Sequence, residues 1–404
     1  MSAPWLHVIG IGEDGMEGLS AQARELVEQA EVIIGGERHH GLSDSLSAQR
    51  VPWPSPFDAM IDTIRSYRGR RIVILVTGDP LWFSVGSRLT RSIPADEIHF
   101  HPQLSAFQWA ACRMGWSIPD VETLTIHGRP AEQFLPWIAP GVRLILLTRD
   151  ASSPREVARL LCERGYGASR LSVLGALGGP RETRIDGVAS DWLAPDSTIV
   201  FPDFHVLAVE LVAGPDAEVL PRTGLPDLAF IHDGKMTKRV IRSVTMAKLV
   251  PVRAGMLWDI GCGCGSVAIE WMRAAPEARA IGIEPLEARR DMARQNALRL
   301  GTPALQLVEN SAPEILHTLP SPDAIFIGGG LTYETAEAAY AALKPLGRLV
   351  ANAVTLESEA VLLALHARLG GDLERISTQK AEPVGRFSGW KAAMPVTQWS
   401  ITKR

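Results

Sequence analysis

The sequence predicts two α/β domains in one chain, each built on a parallel sheet. Its 404 residues are enough for two or three domains of roughly 150 residues each. Short apolar runs bounded by glycine alternate with helical patterns along the chain, which is typical of α/β layers. In addition, each half carries a glycine-rich loop near its first strand.

In the first half, apolar runs predict strands, and apolar residues at helical spacing predict helices. The predicted strands are Trp5–Ile9, Val32–Ile34, Ile72–Val76, Arg143–Thr148 and Arg170–Val173, and the predicted helices are Leu19–Gln29 and Glu156–Arg164. Residues 211–227 hold several glycines and prolines without periodicity, which predicts a linker. The predicted domains are therefore 1–210 and 228–404.

The second half repeats the strand–helix rhythm after the linker. Predicted helices are Lys238–Leu249, Val267–Ala274 and Glu287–Leu300, and predicted strands are Met256–Ile260, Ala280–Glu284, Ala324–Ile327 and Arg348–Ala351. The end of the chain differs, because Glu374–Thr378 and Val396–Thr402 alternate between apolar and polar residues. This pattern predicts that the two segments pair as an antiparallel hairpin at a sheet edge.

Composition argues against several classes of protein. Apolar residues make up 46% of the chain, and the formal net charge is −4 without any block of like charges, so a nucleic-acid partner is not expected. The longest apolar runs are far shorter than the ~20 residues of a membrane span. Because the four cysteines are few and unevenly spaced and no signal peptide is visible, we expect a cytoplasmic protein that does not bind membranes.

The strongest motif is Asp259-Ile-Gly-Cys-Gly-Cys-Gly-Ser266, between a predicted strand and a predicted helix. Its glycines allow a sharp turn and the close approach of a ligand. About 20 residues later, Glu284 ends the next strand, where a carboxylate can accept hydrogen bonds from the ribose of a nucleoside. A dinucleotide site has the spacing G-x-G-x-x-G, and this loop does not.

The spacing of this loop instead resembles the S-adenosylmethionine loop of class I methyltransferases, which have a Rossmann-like fold. A later strand ends in Gly328–Gly330 and supplies a second glycine-lined opening at the same sheet edge. Cys262 and Cys264 could suggest a metal or redox pair. Alternate residues of a glycine loop rarely converge, however, and no His or Cys partner lies nearby, so we expect no metal there.

The first half contains Gly10-Ile-Gly12-Glu-Asp-Gly15, which also satisfies G-x-G-x-x-G and keeps a nicotinamide-dependent reductase open as an alternative. The wider pattern favours another interpretation. The segments Thr77–Gly86, Gln103–Gln108 and Leu174–Arg184 follow this loop in the order typical of the tetrapyrrole methylase family. The first domain resembles that family, whose fold is the class III methyltransferase α/β fold.

Together the two halves resemble the family of bifunctional, decarboxylating precorrin methyltransferases of cobalamin biosynthesis. The segment Met236–Arg242 strengthens the resemblance, although Arg239 stands where some relatives have Glu. The resemblance implies that the N-terminal domain methylates a precorrin at C5. It further implies that the C-terminal domain methylates C15 and removes carbon dioxide from the ring-C acetate. A methyltransferase acting on RNA or protein remains a further alternative.

The resemblance also implies two S-adenosylmethionine sites. The first would be lined by Gly10, Gly12, Gly78, Asp79, Phe83, Ser105, Ala106 and Leu177. The second would be lined by Thr237, Gly261, Cys262, Gly263, Cys264, Gly265, Glu284 and Ala312. No catalytic acid or base is evident.

A precorrin carries many carboxylates, so we expect cationic side chains around both clefts. The candidates are Arg181, Arg184, Lys238, Arg242, Arg386 and Lys391. Arginine suits this role because its guanidinium grips a carboxylate with two hydrogen bonds. Both types of domain commonly self-associate, so a homo-oligomer is a further expectation.

Overall fold

The computed structural model describes residues 4–44 and 47–404. The chain divides into two compact units, of which the first comprises residues 1–131 and 139–218 and the second comprises 132–138 and 219–404. The domain boundaries at 210 and 228 stay predictions. No helix in the described residues is long and apolar enough to cross a membrane.

The first sheet of the first unit is entirely parallel, with the strand order β3-β2-β4-β1-β5. Its strands are β1 (Leu6–Ile11), β2 (Val32–Gly35), β3 (Gln49–Pro52), β4 (Ile72–Thr77) and β5 (Ile98–His101). The helices of this layer are α1 (Ala21–Glu28), α2 (Glu37–Gly41), α3 (Met60–Ser66) and α4 (Gly86–Ser92). Apolar side chains of both sheet faces are buried, which explains why β1 and β4 are continuous apolar runs.

The second sheet of the first unit is mixed, with the order β6-β7-β10-β8-β9. Its strands are β6 (Glu122–Thr125), β7 (Arg143–Leu147), β8 (Arg170–Gly175), β9 (Thr183–Val188) and β10 (His205–Glu210), with helices α5 (Ala106–Met114), α6 (Ser153–Cys162) and α7 (Ala189–Trp192). Only β6 and β7 pair in parallel. The prediction of a parallel sheet was wrong here, because β9 follows β8 through a short connection that only antiparallel strands permit.

The second unit has one seven-stranded sheet with the order β13-β12-β11-β14-β15-β19-β16 and a separate hairpin of β17 and β18. Its strands are β11 (Met256–Ile260), β12 (Arg279–Ile283), β13 (Gln306–Val308), β14 (Ala324–Ile327), β15 (Arg348–Ala353), β16 (Asp372–Ile376), β17 (Gln379–Val384), β18 (Phe387–Ala392) and β19 (Val396–Thr402). Its helices are α8 (Arg239–Leu249), α9 (Ser266–Ala274), α10 (Glu287–Arg299), α11 (Tyr333–Ala342) and α12 (Leu356–Leu369).

The predicted antiparallel pairing at the end of this sheet is confirmed, but the prediction of a hairpin was wrong, because β17 and β18 lie between the two strands in the chain. Strand β19 pairs antiparallel with both β15 and β16, and β16 forms the edge. Thr397, near the start of β19, pairs with Ala353 at the carboxyl end of β15. The hairpin of β17 and β18, which lies between β16 and β19 in the chain, therefore leaves the sheet from the carboxyl edge of the parallel strands.

A fully buried ion pair holds the start of the second unit together. Arg242 on α8 has no exposed side-chain surface, and its Nε donates to Glu270 Oε1 on α9 at 2.6 Å. The guanidinium also donates to Asp227 and to the carbonyl oxygens of Leu225 and Thr237. Arg242 was predicted to grip a substrate carboxylate, and this prediction was wrong because its donors are already used inside the protein.

Removing the charge of Glu270 leaves a buried guanidinium without its closest counter-charge. We expect Glu270→Gln to lower the free energy of unfolding by about 3–5 kcal/mol, measured by urea denaturation followed by tryptophan fluorescence. The control is Glu382→Gln, which removes the exposed partner of Lys391 and should cost less than about 1 kcal/mol. Equal unfolding midpoints for the two variants would contradict a stabilising role for the buried pair.

Candidate functional site

The glycine loop of the second unit turns at the carboxyl edge of the sheet, between β11 and α9. Gly261, Gly263 and Gly265 have φ angles of 69°, 56° and 80°, a region that favours glycine. A Cβ on Gly261 would stand 2.7 Å from the Cα of Gly329, which belongs to the loop after β14. The two predicted glycine openings are thus in direct backbone contact.

Glu284 joins this loop to the end of β12. The Gly263 N–H donates to its Oε2 at 3.0 Å, and the Leu286 N–H donates to its Oε1 at 3.1 Å. The residue is only 2% exposed, and the nearest guanidinium nitrogen of Arg289 is 4.0 Å away. Because each carboxylate oxygen accepts more than one hydrogen bond, both oxygens can still accept from a ligand hydroxyl.

Asp259, at the end of β11, has a mainly structural role. Its Oδ2 accepts a hydrogen bond from the Ala268 N–H at 2.9 Å and so caps the first turn of α9. Its Oδ1 finds no hydrogen-bond partner among the described residues. Burial, with a smaller contribution from Glu284, raises the pKa of Asp259 to about 7 despite the capping bond.

The other predicted residues of the second site lie around the same loop. A Cβ on Gly263 would be 3.9 Å from the carbonyl oxygen of Lys235, which places the segment containing Thr237 beside the loop. Cys262 and Cys264 are buried, and burial raises the pKa of both thiols. Ala312 follows β13, the neighbour of β12, and is partly buried against the main core of this unit.

In the first unit, the carboxyl end of β1, the loop after β4 and the start of α5 meet in the same way. A Cβ on Gly10 would stand 1.8 Å from the carbonyl oxygen of Gly78, and one on Gly78 would stand 2.8 Å from the Cα of Ser105. Ser105 caps α5, since its Oγ accepts from the Gln108 N–H at 3.4 Å. Three predicted segments are thereby brought together.

A pocket lies next to these loops. Of the predicted residues, Gly12, Gly78, Ala106 and Leu177 line it. Asp79 caps its own turn by accepting from the Leu81 N–H at 2.7 Å. Phe83 is exposed with φ 51°, and its ring is tilted by 58° against that of Phe107 at a centroid distance of 5.8 Å. The sequence did not predict the remaining lining residues, which are Glu13, Thr77, Leu104, Trp109, Leu174, Ala176, Phe204, His205 and Val206.

The sequence also did not predict Arg38, which braces this pocket from α2. Its guanidinium contacts the carboxylate of Glu13 and the hydroxyl of Thr77, and it lies 4.1 Å from the ring centroid of Phe204. Burial and the Arg38 charge lower the pKa of the neighbouring His39 to about 3, so His39 is neutral at physiological pH. No motif marks Arg38, because only the fold brings α2 beside the first glycine loop.

The predicted substrate cations have different environments. Arg181 and Lys238 are exposed. Arg184 is about half exposed, and its Nε lies 2.9 Å from a carboxylate oxygen of Asp186. Arg386 and Lys391 are on the hairpin of β17 and β18, where Lys391 Nζ donates to Glu382 at 3.0 Å. Except for Arg242, these side chains remain accessible to a solute.

Comparisons with known proteins follow the same division of the chain. Residues 5–192 match the family described as tetrapyrrole (corrin/porphyrin) methylases, and residues 228–403 match the precorrin methyltransferase domain family. A precorrin-6Y C(5,15)-methyltransferase [decarboxylating] of Sinorhizobium sp. is 46% identical over 404 residues, which cover 99% of this chain and 97% of that protein. The chain belongs to the family of decarboxylating precorrin-6Y C(5,15)-methyltransferases.

Two shorter proteins that are similar to this chain each match less than half of it. A cobalt-precorrin-7 C(5)-methyltransferase of Salmonella typhimurium is 29% identical over 42% of this chain and 83% of its own length. A probable cobalt-precorrin-6B C(15)-methyltransferase (decarboxylating) of Pyrobaculum calidifontis is 35% identical over 43% of this chain and 92% of its own length. One of these two proteins is named for methylation at C5 and the other for methylation at C15. The name of the full-length relative contains both positions.

The family depends on S-adenosylmethionine, and the second unit fits this cofactor well. Glycines stand where a Cβ would collide with backbone, and Glu284 offers acceptors beside them. These features suit a nucleoside whose ribose hydroxyls donate hydrogen bonds to a carboxylate.

The raised pKa of Asp259 makes the stability of the second unit depend on pH. Because the folded-state pKa of about 7 exceeds the unfolded value, the stabilising contribution is present below pH 4 and is lost as the pH rises through 7. Asp259→Asn keeps an acceptor for Ala268 and cannot ionise. Relative to wild type, this variant should gain up to about 4 kcal/mol between pH 4 and pH 7.5, measured by urea denaturation without cofactor. A constant difference between the two proteins over this range would contradict the ionisation of Asp259.

Proposed function

We propose that the chain methylates a precorrin at C5 through its first unit and at C15 through its second, which also releases carbon dioxide from the ring-C acetate. The observation that carries the proposal is that each unit has its own glycine-lined edge, where loops after parallel strands meet. The two shorter relatives, named for one position each, support this division of labour. The chain would then hold two S-adenosylmethionine sites.

At the second site, the backbone and Glu284 would position the cofactor. The free acceptor directions of Glu284 would take the ribose hydroxyls, while Gly261, Gly263 and Gly265 keep the space beside them clear. Cys262, Cys264, Thr237 and Ala312 would complete the lining. At the first site, Gly12, Gly78, Ala106 and Leu177 would face the cofactor, with Gly10, Asp79, Phe83 and Ser105 holding the surrounding loops.

The chemistry needs orientation more than it needs a reactive side chain. S-Adenosylmethionine supplies an activated methyl group on a sulfonium, and a carbon of the precorrin forms the new C–C bond as the C–S bond breaks. Holding the two reactants in line converts a bimolecular step into a unimolecular one, an advantage that reaches effective molarities of ~10⁵ M or more. The glycine-lined clefts provide this kind of fixed geometry.

Decarboxylation follows from the same substrate chemistry. Methylation leaves a conjugated iminium in the macrocycle, and breaking the bond to the acetate carboxylate sends its electron pair into that system as carbon dioxide departs. The carboxylate that leaves must not be held by a buried cation, since such a contact would stabilise the ground state. The accessible cations Lys238, Arg386 and Lys391 would instead hold other carboxylates of the substrate at the second site, and Arg181 and Arg184 would do so at the first.

Calorimetric titration with S-adenosylhomocysteine tests the two-site proposal. We expect two sites in wild type and one in each of two variants. In Gly12→Val the new side chain collides with Asp14 in the loop that lines the pocket of the first unit, while Glu284→Ala removes the ribose acceptor of the second. Controls are Gly41→Val, an exposed glycine with open space around its Cβ, and the exposed Glu314→Ala, both of which should keep two sites.

A single site in wild type would contradict the proposal, and so would one variant that abolishes both sites while remaining folded. With two sites established, mass spectrometry of precorrin products should show two added methyl groups and the loss of carbon dioxide.

A cytoplasmic location and self-association are further parts of the proposal. Sedimentation velocity that detects only monomer at micromolar concentration would exclude self-association.

A further inference from the structure

Three histidines form a cluster on one face of the first sheet. His99 and His101 alternate on β5, so both imidazoles project from the same face. His7 on β1 pairs in register with His99. Strand β5 is the edge strand of this sheet, which leaves His99 exposed and His7 and His101 partly exposed.

The imidazole rings are in close contact. The Nδ1 atom of His7 is 3.2 Å from Nε2 of His101, and the ring centroids of His99 and His101 are 4.5 Å apart with the rings stacked. The side chain of His99 makes no hydrogen bond with any of the residues that the structure describes. Glu97, the acid nearest in sequence, is occupied by Trp5 Nε1 and Arg68 Nη2, each at 2.7 Å.

Two imidazoles of the cluster, those of His7 and His101, favour the neutral form. Burial lowers the pKa of His7, and burial with the neighbouring histidines lowers that of His101 to about 4. Neutral imidazole is the form that binds transition metals.

The distance between His7 Nδ1 and His101 Nε2 is close to the distance between two nitrogen ligands of one metal ion. Two imidazole nitrogens at about 2.0–2.1 Å from a tetrahedral zinc ion stand about 3.3 Å apart. The 3.2 Å between His7 Nδ1 and His101 Nε2 has this length, and both rings must turn so that the two nitrogens face one ion instead of each other. Such a pair can also share one proton in an N–H···N hydrogen bond, and the experiment below separates the two arrangements.

We propose that His7 and His101 bind a divalent transition-metal ion such as Zn²⁺, Ni²⁺ or Co²⁺, with His99 as the third ligand and water completing the shell. Within residues 4–44 and 47–404, no three His, Cys, Asp or Glu side chains already surround one point. The exposed side chain of His99 must therefore rotate towards the ion, which its position on the edge strand permits. The bound ion links the edge strand β5 to β1 and stabilises the first unit.

The test uses the full-length chain without an oligohistidine tag. Calorimetric titration with ZnCl₂ should show one saturable site in wild type. His7→Asn and His101→Asn should abolish it, and His99→Asn should weaken it by at least the roughly tenfold that an altered metal environment typically costs. Co²⁺ should give a visible absorption spectrum of nitrogen and oxygen ligands, without the near-ultraviolet band of a thiolate.

Two matched variants control for other ligands, namely His317→Asn in the second unit and Cys112→Ser, both of which replace exposed side chains. Each should bind Zn²⁺ like wild type. The unfolding midpoint of every variant is first measured without metal to show that it is folded, and Zn²⁺ should then raise the midpoint of wild type but not of His101→Asn. The proposal is overturned if wild type binds no Zn²⁺ or if His101→Asn binds it with wild-type affinity.

Discussion

The segments that follow parallel strands lie at one edge of the sheet. In both units, the backbones of neighbouring segments at this edge approach each other more closely than a side chain would allow. A Cβ on Gly261 or on Gly10 would lie inside the contact distance of the neighbouring loop. The glycines are therefore required by the packing of the edge before any ligand is considered. The same requirement leaves a surface of backbone N–H and C=O groups, which can position a ligand without moving.

The polar groups of the second unit depend on this arrangement. Glu284 is almost fully buried, and two backbone N–H groups hold it where a ribose would lie. Asp259 caps α9 from below the same loop. Behind them, Arg242 and Glu270 connect α8 and α9 to the segment that enters the unit. Buried charges thus hold the loop in place, while Lys238, Arg386 and Lys391 are exposed to solvent.

The chain belongs to the precorrin-6Y C(5,15)-methyltransferase family, whose reaction is methyl transfer. Methyl transfer from a sulfonium requires two reactants held in line, and a rigid backbone cradle meets that need. The braced pocket of the first unit has the same character, since Arg38 fixes Glu13 and Thr77 from outside the glycine loop. The histidine cluster on β1 and β5 is chemically different from both sites, because it consists of imidazoles on one face of the sheet.

The sequence by itself determined the α/β class, the order of most strands and helices and the two glycine-rich segments, because periodicity and glycine spacing are local properties. Met256–Ile260 and Ala324–Ile327 were predicted to the residue. Tertiary structure alone decided the mixed sheet around β10, the burial of Arg242 and the place of Arg38. Each of these depends on partners distant in sequence: β10 pairs with strands from two other segments, and an arginine on an amphipathic helix has the same local pattern whether it faces a carboxylate inside the protein or a solute outside.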